Sequence, residues 1–437
     1  MRRRDLLRLF AGAAVAPLIP GLARATPRSD EFFVFVHAGG GWDITLWADP
    51  RNEEKGLVVP ASTRNTEVGG IRHWKPAGDS FEMLTSSTSS LRLGPAIGGL
   101  RELQDRLTII NGVSMNTVSH EDGITYATTG RHRIGGALAQ STIDVITASE
   151  LGAAQLMPVV SVKFPSAFVG DQLDRRVVPL QVGSVDAVTR SFARSSLYFG
   201  DADRAAITAL LTDEARSLAS HSTHPEPFER LESQHRAIPP LVTGDFTRTF
   251  STRQLQSLYP QFEYGGVLGE DTLAAAFAVE ALKRDLVRCV GIGVSGFDTH
   301  GIDYRRHALQ LQALFDMVAT LVKLLETTRH PTRANTMLSE HTHLVVLSEF
   351  CRTPGINRNG GRDHYPNNSA LIISPRFRPG VFGGTDPEQL LPLDSPLVAS
   401  GPRPITPPDL LATLLGSLGI EPRRYLRDGE IVKGLLA

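Results

Sequence analysis

Residues 32–43 read FFVFVHAGGGWD, an apolar run followed by three glycines and an acid. The run from Phe32 to Val36 is continuously apolar, which is typical of a parallel strand buried on both faces of its sheet. Three glycines at positions 39–41 follow its carboxyl end, and glycine lets a backbone approach a ligand closely. This stretch predicts a central parallel strand that leads into a ligand-binding loop.

Similar short apolar runs recur along the chain, with helical patterns between several of them. The runs cover residues 107–110, 159–162, 290–294, 344–347 and 370–373. Apolar residues recur at helical spacing over residues 272–288 and 305–327. Strands that alternate with long helices predict an α/β fold with a mostly parallel central sheet and helices on both faces.

Residues 163–264 lack this alternation. Residues 201–220 and 226–236 have helical patterns, but no strands alternate with them as they do in the flanking parts of the chain. We therefore expect a helical cap inserted within a single domain that spans residues 26–437.

Composition excludes several classes of protein. The 437 residues are 41% hydrophobic and 21% charged, which is ordinary for a soluble globular chain. The formal net charge of −1 gives no basic excess for a nucleic acid partner. Cys289 and Cys351 form no CxxC pair, so thiolate zinc sites and thioredoxin-type redox chemistry lack their ligands.

The first 25 residues have the pattern of an export signal. Basic residues at positions 2–4 precede an apolar run over residues 9–22, and Ala23-Arg24-Ala25 offers a cleavage site after Ala25. The adjacent Arg3 and Arg4 with the following leucines resemble a twin-arginine signal. We expect the twin-arginine translocase as an export partner and a periplasmic or secreted location.

Acids and histidines follow the predicted strands, where open α/β sheets bind their ligands. They are Asp43, the pair Asp298 and His300, the pair Glu349 and Arg352, and the pair Asp363 and His364 in a polar loop over residues 357–366. Each group alone fits a helix cap, a turn or a salt bridge. Together they predict a metal centre, and carboxylates and imidazoles without thiolates suit zinc, manganese or iron, or magnesium and calcium where oxygen dominates.

Ser119 stands where a helix is predicted to begin, over residues 120–129. A helix N-terminus has unpaired N–H groups and the positive end of the helix dipole, which would stabilise an oxyanion beside the hydroxyl. Ser119 with Asp122 three residues later also resembles a capping box. Ser119 is therefore either a nucleophile, a cap, or both.

The spacing of the residues after Cys351 excludes two cysteine-based chemistries. A formylglycine sulfatase needs C-x-P-x-R, but the residues after Cys351 are Arg352, Thr353 and Pro354, with the proline one place late. A cysteine-dependent phosphatase needs an arginine six residues after the cysteine, where Asn357 stands. We expect Cys351 to be a small buried residue.

The motifs together resemble the DUF1501 family of bacterial exported proteins, which belongs to the alkaline phosphatase/sulfatase-like superfamily. The motifs are residues 39–43, Ser119-His120, residues 296–300, residues 348–353 and residues 361–366, with a last helix in residues 404–415. The resemblance implies a phosphatase-like core in which Asp43, Asp298, His300, Glu349, Asp363 and His364 surround one or two divalent cations. It also implies that Ser119 occupies the nucleophile's place, with His120 and Arg352 as further catalytic residues.

Two functions from different classes follow. The first is an exported metal-dependent hydrolase of phosphate or sulfate esters with a two-metal site. The second is a non-catalytic exported binding or assembly protein on a retained phosphatase-like fold, because fold does not imply function. Glu349-Phe350 stands where the superfamily commonly has Asp-His, which removes a potential ligand and favours the second.

Overall fold

The computed structural model describes residues 30–50, 67–68, 71–72, 84–85, 92–94, 96–170, 173–191, 201–222, 245–301, 304–355 and 357–437. The expected signal peptide and the expected helix over residues 226–236 lie outside these ranges.

The regular elements of the described residues form one central sheet, its helices and three small ribbons. The sheet strands are β1 (Phe32–Gly39), β2 (Thr108–Ser114), β3 (Val159–Val162), β4 (Leu180–Val182), β5 (Cys289–Ser295), β6 (Thr342–Leu347), β7 (Asn367–Ile373) and β8 (Gly380–Gly383). The helices are α1 (His120–Thr129), α2 (Ile143–Leu151), α3 (Val185–Ser191), α4 (Asp201–His221), α5 (Asp245–Thr249), α6 (Thr252–Leu258), α7 (Asp271–Lys283), α8 (Tyr304–Thr327) and α9 (Pro407–Ser417). The ribbons pair Glu67–Val68 with Ile71–Arg72, Leu84–Thr85 with Arg92–Leu93, and Cys351–Arg352 with His364–Tyr365.

The central sheet has the strand order β8-β2-β7-β6-β1-β5-β3-β4. The first apolar run of the chain forms β1, which lies between β6 and β5 and is parallel to both. β7 is antiparallel to its neighbours β6 and β2, and the other pairings are parallel. The predicted mostly parallel sheet is confirmed.

Alternate residues of β1 supply two separate hydrophobic cores. Phe32, Val34 and Val36 point into one core, which also contains residues of α7 and α8, whereas Phe33 and Phe35 point into the other, with residues of α2 and α9. Full burial of such an apolar side chain contributes about 1.5–3 kcal/mol, so a continuous apolar run is stable only when both faces are covered. The predicted helices on both faces are confirmed.

The longest helix in the described residues, α8, contains a long apolar stretch. Its stretch Arg306–Thr327 has the length and composition to cross a membrane, yet 67% of its most apolar window is buried within the protein. Leu311, Leu314 and Phe315 lie in the first core, so packing on the sheet accounts for its hydropathy.

The region expected to be a helical cap, residues 163–264, also contributes to the sheet. Within its described part, β4 pairs with β3 as an edge strand, while α3, α4, α5 and α6 supply its helices. The cap itself stays a prediction.

The direction of the strands gathers the polar loops at one edge of the sheet. β1, β2, β5 and β6 run the same way, so the loops after them leave from the same edge. Because β7 is reversed, the residues that precede it, including His364, come to that edge as well.

Candidate metal centre

Three imidazoles surround the carboxylate of Asp298 at this edge of the sheet. Its Oδ1 atom lies 3.0 Å from Nε2 of His300, 3.4 Å from Nε2 of His364 and 3.5 Å from Nε2 of His120. Gly40, with φ of 120°, lets the β1 loop approach, because a Cβ there would lie 2.3 Å from the backbone nitrogen of Asp298. The glycine run after β1 therefore serves close backbone packing against the Asp298 loop.

The other ring nitrogen of each imidazole, Nδ1, donates a hydrogen bond to an oxygen atom. Nδ1 of His120 is 2.7 Å from Oε1 of Glu349, Nδ1 of His300 is 2.8 Å from Oδ1 of Asp363, and Nδ1 of His364 is 2.8 Å from the carbonyl oxygen of Val118. A carbonyl or an ionised carboxylate can only accept a hydrogen bond, so each Nδ1 carries a proton. In the neutral rings, each Nε2 then presents a lone pair towards Asp298.

This arrangement fits a cation. Nε2 of His300 and Nε2 of His364 are only 2.9 Å apart, and two lone pairs at this distance repel each other unless a proton or a cation lies between them. Ligand atoms of His120, Asp298 and His364 lie within 4.8 Å of one another. Metal-binding histidines typically have their second nitrogen fixed by a carboxylate or carbonyl, as all three do here.

Glu349 is a buried acceptor at the base of the cluster. Its carboxylate accepts hydrogen bonds from the backbone nitrogen of Gly40 at 2.7 Å, from Ser348 at 3.0 Å and from His120, and it lies 3.2 Å from Nε2 of His37. Burial alone would raise the pKa of Glu349, but the hydrogen bonds from His120 and His37 hold it well below its usual range. The bond to Glu349 in turn raises the pKa of His120. Glu349 therefore orients His120.

Asp363 has the same relation to His300. The hydrogen bond from His300 lowers the pKa of the Asp363 carboxyl, which also accepts a bond from Nδ2 of Asn357 at 3.1 Å. Gly361 allows this loop to pack on the Asp298 loop, since a Cβ there would be 2.4 Å from the carbonyl carbon of His300.

Arg352 is fully buried beneath Asp298. Its Nη2 donates to Oδ1 of Asp298 at 2.7 Å, and its Nε donates to the carbonyl oxygen of Gly41 at 2.8 Å. Burial alone would raise the pKa of Asp298, but the hydrogen bond and charge of Arg352 lower it. The structure therefore places Arg352 as a support of Asp298.

Asp43 lies outside the half-exposed imidazole cluster, in a separate group that is buried. Its carboxylate pairs with Arg362 at 3.1 Å and accepts hydrogen bonds from the backbone nitrogen and the hydroxyl of Thr45. Its backbone nitrogen donates to Nε2 of His307 at 2.8 Å. Burial lowers the pKa of His307 to about 3, so the ring is neutral. These contacts use Asp43 as a cap and an ion-pair partner.

Ser119 is the N-cap of α1 and lies next to the cluster in sequence. Its side chain is exposed and makes no capping hydrogen bond. His120 follows it, and the carbonyl of Val118, which holds His364, precedes it. The hydroxyl is therefore available for another role.

Sequence reasoning missed His37, Thr299, His307 and Arg362. His37 is an imidazole at the end of an otherwise apolar run, and that break in the pattern was the available signal. His307 was set aside because it falls inside a predicted helix, although it has the Asp-x-x-x-His spacing with Asp303. Thr299 and Arg362 lie within the ligand loops and have no charge pattern that marks them as buried partners of Asp43 and His307.

A second group of acids and a histidine lies at the opposite edge of the sheet. Ligand atoms of Asp30, Glu31 and His341 are within 4.8 Å of one another. Asp30 pairs with Arg333 and Glu31 pairs with Arg376, so arginines already balance both carboxylates. This group is therefore a network of ion pairs between strand ends.

Comparisons with known proteins identify a family and distant structural matches. The model of the DUF1501 family, described as a protein of unknown function, matches residues 31–430. No curated protein matches the chain.

Among solved structures, Ps i-CgsB in complex with k-i-k-neocarrahexaose is 10% identical with a TM-score of 0.38, over 92% of this chain and 75% of that one. A 2-O GAG sulfatase is 12% identical with a TM-score of 0.33, over 93% of this chain and 76% of that one. A structure from work on glycosaminoglycan metabolism by Bacteroides thetaiotaomicron is 10% identical with a TM-score of 0.33, over 90% and 73% of the two chains. Matches this distant do not bear on the chemistry of the site.

Proposed function

Since the chain belongs to the DUF1501 family, whose description assigns no activity, we propose a function from the geometry of its site. We propose that it binds one divalent cation through the Nε2 atoms of His120, His300 and His364 and the carboxylate of Asp298. We further propose that it hydrolyses sulfate or phosphate esters at this site.

The convergence of three Nε2 atoms on one carboxylate carries the proposal. Each imidazole donates its Nδ1 proton to an acceptor, and this hydrogen bond orients the ring so that the lone pair on Nε2 points towards Asp298. Two lone pairs held 2.9 Å apart repel each other unless a cation or a proton lies between them, and this repulsion costs free energy. The ligands of this cluster suffice for one cation, where the family resemblance implied one or two.

The donor set favours some cations over others. Three imidazole nitrogens and one carboxylate suit zinc or manganese, whereas magnesium and calcium prefer sites composed of oxygen. Glu349 and Asp363 were predicted as ligands, but in this proposal they orient the ligands His120 and His300. Loss of such an orienting residue typically lowers metal affinity about 10- to 100-fold.

The chain supplies further groups for ester hydrolysis. A bound divalent cation would polarise an ester oxygen and lower the pKa of an attacking hydroxyl or water. Ser119 offers an exposed hydroxyl that is free of capping bonds. The first turn of α1 has unpaired N–H groups that would stabilise negative charge on a sulfuryl or phosphoryl group. Ser119 is therefore our candidate nucleophile.

Export through the twin-arginine pathway is part of the proposal. It rests on Arg3, Arg4 and the apolar run over residues 9–22. The double variant Arg3→Lys with Arg4→Lys should leave the precursor in the cytoplasm, and the exported wild type should begin at Thr26. Unchanged export of the double variant would contradict the twin-arginine signal.

One observation favours the alternative of a binding or assembly protein. Arg352, which the sequence suggested as a catalytic cation, has a fully buried side chain that contacts Asp298 and backbone carbonyls. Held in this way, it cannot reach an ester in solvent. A cation site that binds a ligand without turnover is consistent with this placement.

Metal analysis combined with an ester screen tests the proposal. Purified wild type should contain one equivalent of zinc or manganese, and His300→Ala should bind it at least about 100-fold more weakly. His221→Ala, at the exposed end of α4, is the matched control and should bind as wild type does. Turnover of aryl sulfates or aryl phosphates by wild type supports the hydrolase, and a bound cation without turnover supports the alternative. Wild type that binds no cation would end the proposed cation site and the metal-dependent hydrolase with it.

A further inference from the structure

A ring of buried polar side chains lies beneath the ligand loops. We call it the buried polar ring and define it as Asp43, Thr45, Thr299, His307 and Arg362. All five residues are at most 5% exposed. Removing polar groups from water is costly unless each finds a partner, so the hydrogen bonds within the ring offset part of that cost.

The hydrogen bonds of the ring form a closed circuit. The backbone N–H of Asp43 is an obligate donor, so Nε2 of His307 accepts from it at 2.8 Å. The proton of that neutral ring is then on Nδ1, which donates to Oγ1 of Thr299 at 2.8 Å. The tautomer of His307 therefore follows from its hydrogen-bond partners alone.

The circuit continues through Arg362. Its backbone nitrogen donates to the carbonyl oxygen of Thr299 at 3.2 Å, and its Nη1 donates to Oγ1 of Thr45 at 2.9 Å. The guanidinium also pairs with Asp43, whose Oδ1 accepts from the hydroxyl of Thr45 at 2.6 Å. The β1 loop, the β5 loop, α8 and the loop before β7 are thereby joined in one network.

The ring residues alternate with proposed ligands along the chain. Thr299 points inwards between Asp298 and His300, which face the cluster. Arg362 is likewise buried and is followed by Asp363 and His364. The two loops that carry the ligands are therefore each anchored from below by a ring residue.

A second connection joins the ring to Asp298. The carbonyl oxygen of Arg362 accepts from Nη1 of Arg352 at 3.1 Å, and Nη2 of Arg352 donates to Asp298 at 2.7 Å. A displacement of Arg362 would therefore move the support of the carboxylate as well as the loop that carries His364.

We propose that the buried polar ring is a positioning device, in which Thr299, His307 and Arg362 set cation affinity without contacting the cation. The inference rests on the proposed function, because it presumes the cation site. A ring that only stabilised the fold would change the free energy of unfolding and leave the affinity of the folded protein unchanged, which makes the two roles separable.

Thr299→Val is the informative variant. It keeps the shape of the side chain but removes the oxygen that accepts from His307, whereas Thr299→Ser retains that oxygen. Thr413→Val is the matched control, since the Thr413 hydroxyl is equally buried, donates to the carbonyl of Asp409 and accepts from Val432 in a part of the fold outside the cluster.

The test titrates zinc ions into the metal-stripped protein by calorimetry and measures urea unfolding in parallel. Thr299→Val should bind zinc about 10- to 100-fold more weakly than wild type, the range seen when orienting residues of metal sites are lost. Thr299→Ser should bind zinc with the affinity of wild type. Thr413→Val should unfold at a lower urea concentration than wild type but bind zinc with unchanged affinity. Hydrogen exchange of the metal-free protein should be faster in Thr299→Val at residues 296–301 and 361–365.

Two results would overturn the inference in different ways. Wild-type affinity in Thr299→Val would refute the positioning role and leave the proposed cation site standing. No zinc binding by wild type would refute the cation site and this role with it. If Thr299→Val does not fold, Thr45→Val provides the same test, because it removes the oxygen that accepts from Arg362.

Discussion

The carboxylate of Asp298 receives a hydrogen bond from Arg352 and faces three imidazoles at 3.0 to 3.5 Å. Arg352 keeps it ionised, and the three Nδ1 protons are committed elsewhere. An approaching cation therefore meets one negative charge and three lone pairs, with the guanidinium of Arg352 beneath them, its Nη1 3.4 Å from Nε2 of His300. Protons and cations compete for nitrogen lone pairs, so cation affinity should weaken at low pH.

Ser119 allows the two roles considered for it to be separated. Because its side chain makes no capping bond, Ser119→Ala should cost less than about 0.5 kcal/mol of unfolding free energy. If Ser119 is the nucleophile, the same variant should lose turnover while its metal content is unchanged. Ser251→Ala, which removes a cap that accepts from Gln254, is the control and should cost about 1 kcal/mol. Full turnover in folded, metal-loaded Ser119→Ala would point to an attacking water instead.

Residue types and their place after strands predicted the neighbourhood of the site but not the partner of each side chain. Asp298, His300 and His364 do converge. Asp43, which has the same position after a strand, pairs instead with Arg362, 319 residues away. No local pattern tells a carboxylate that faces an imidazole cluster from one that faces an arginine, because the difference arises only when distant loops meet.

At the scale of elements, burial explains which strands the sequence predicted. The runs that became β1, β3, β5 and β6 are buried along nearly their whole length. β4 was missed because its residues are only half-buried at the sheet edge. The reversal of β7 was not predicted either, since an apolar run has no direction, yet this reversal brings His364 to the site.

The opposite ends of these strands offer a test of stability against pH. Glu31, just before β1, accepts from His343 of β6 at 2.9 Å and pairs with Arg376 after β7. Burial alone would raise the pKa of Glu31, but these partners lower it from 4.5 to about 2. A lowered carboxyl pKa gives stability that is complete above pH 4.5 and is lost as pH falls towards 2, on the order of 3 kcal/mol in total.

Glu31→Gln should therefore be less stable than wild type at pH 7, and the difference should shrink between pH 4.5 and pH 2. Urea unfolding at several pH values measures it. Glu388→Gln removes an exposed carboxylate and serves as the control, with a stability profile like that of wild type. A constant difference between Glu31→Gln and wild type at all pH values would show that Glu31 does not titrate in this range.

At the scale of the whole molecule, the proposed ligands come from positions 120, 298, 300 and 364, on segments that meet only when the sheet is formed. The unfolded chain holds no such site. A cation that binds the native state alone adds RT ln(1 + [L]/Kd) to the free energy of unfolding, which is about 2.7 kcal/mol at a concentration 100 times Kd. The site and the stability of the fold are thereby linked.

Urea unfolding with and without zinc ions should show this linkage. At 100 times Kd, zinc should raise the unfolding free energy of wild type and of His221→Ala by about 2.7 kcal/mol, and a chelator should reverse the gain. His364→Ala lacks one ligand and should gain far less at the same concentration. Magnesium should also be a weak stabiliser of wild type, because three imidazoles suit it poorly. An equal gain from zinc in wild type and His364→Ala would place the binding site elsewhere on the chain, since adventitious sites on surface histidines are common to both proteins.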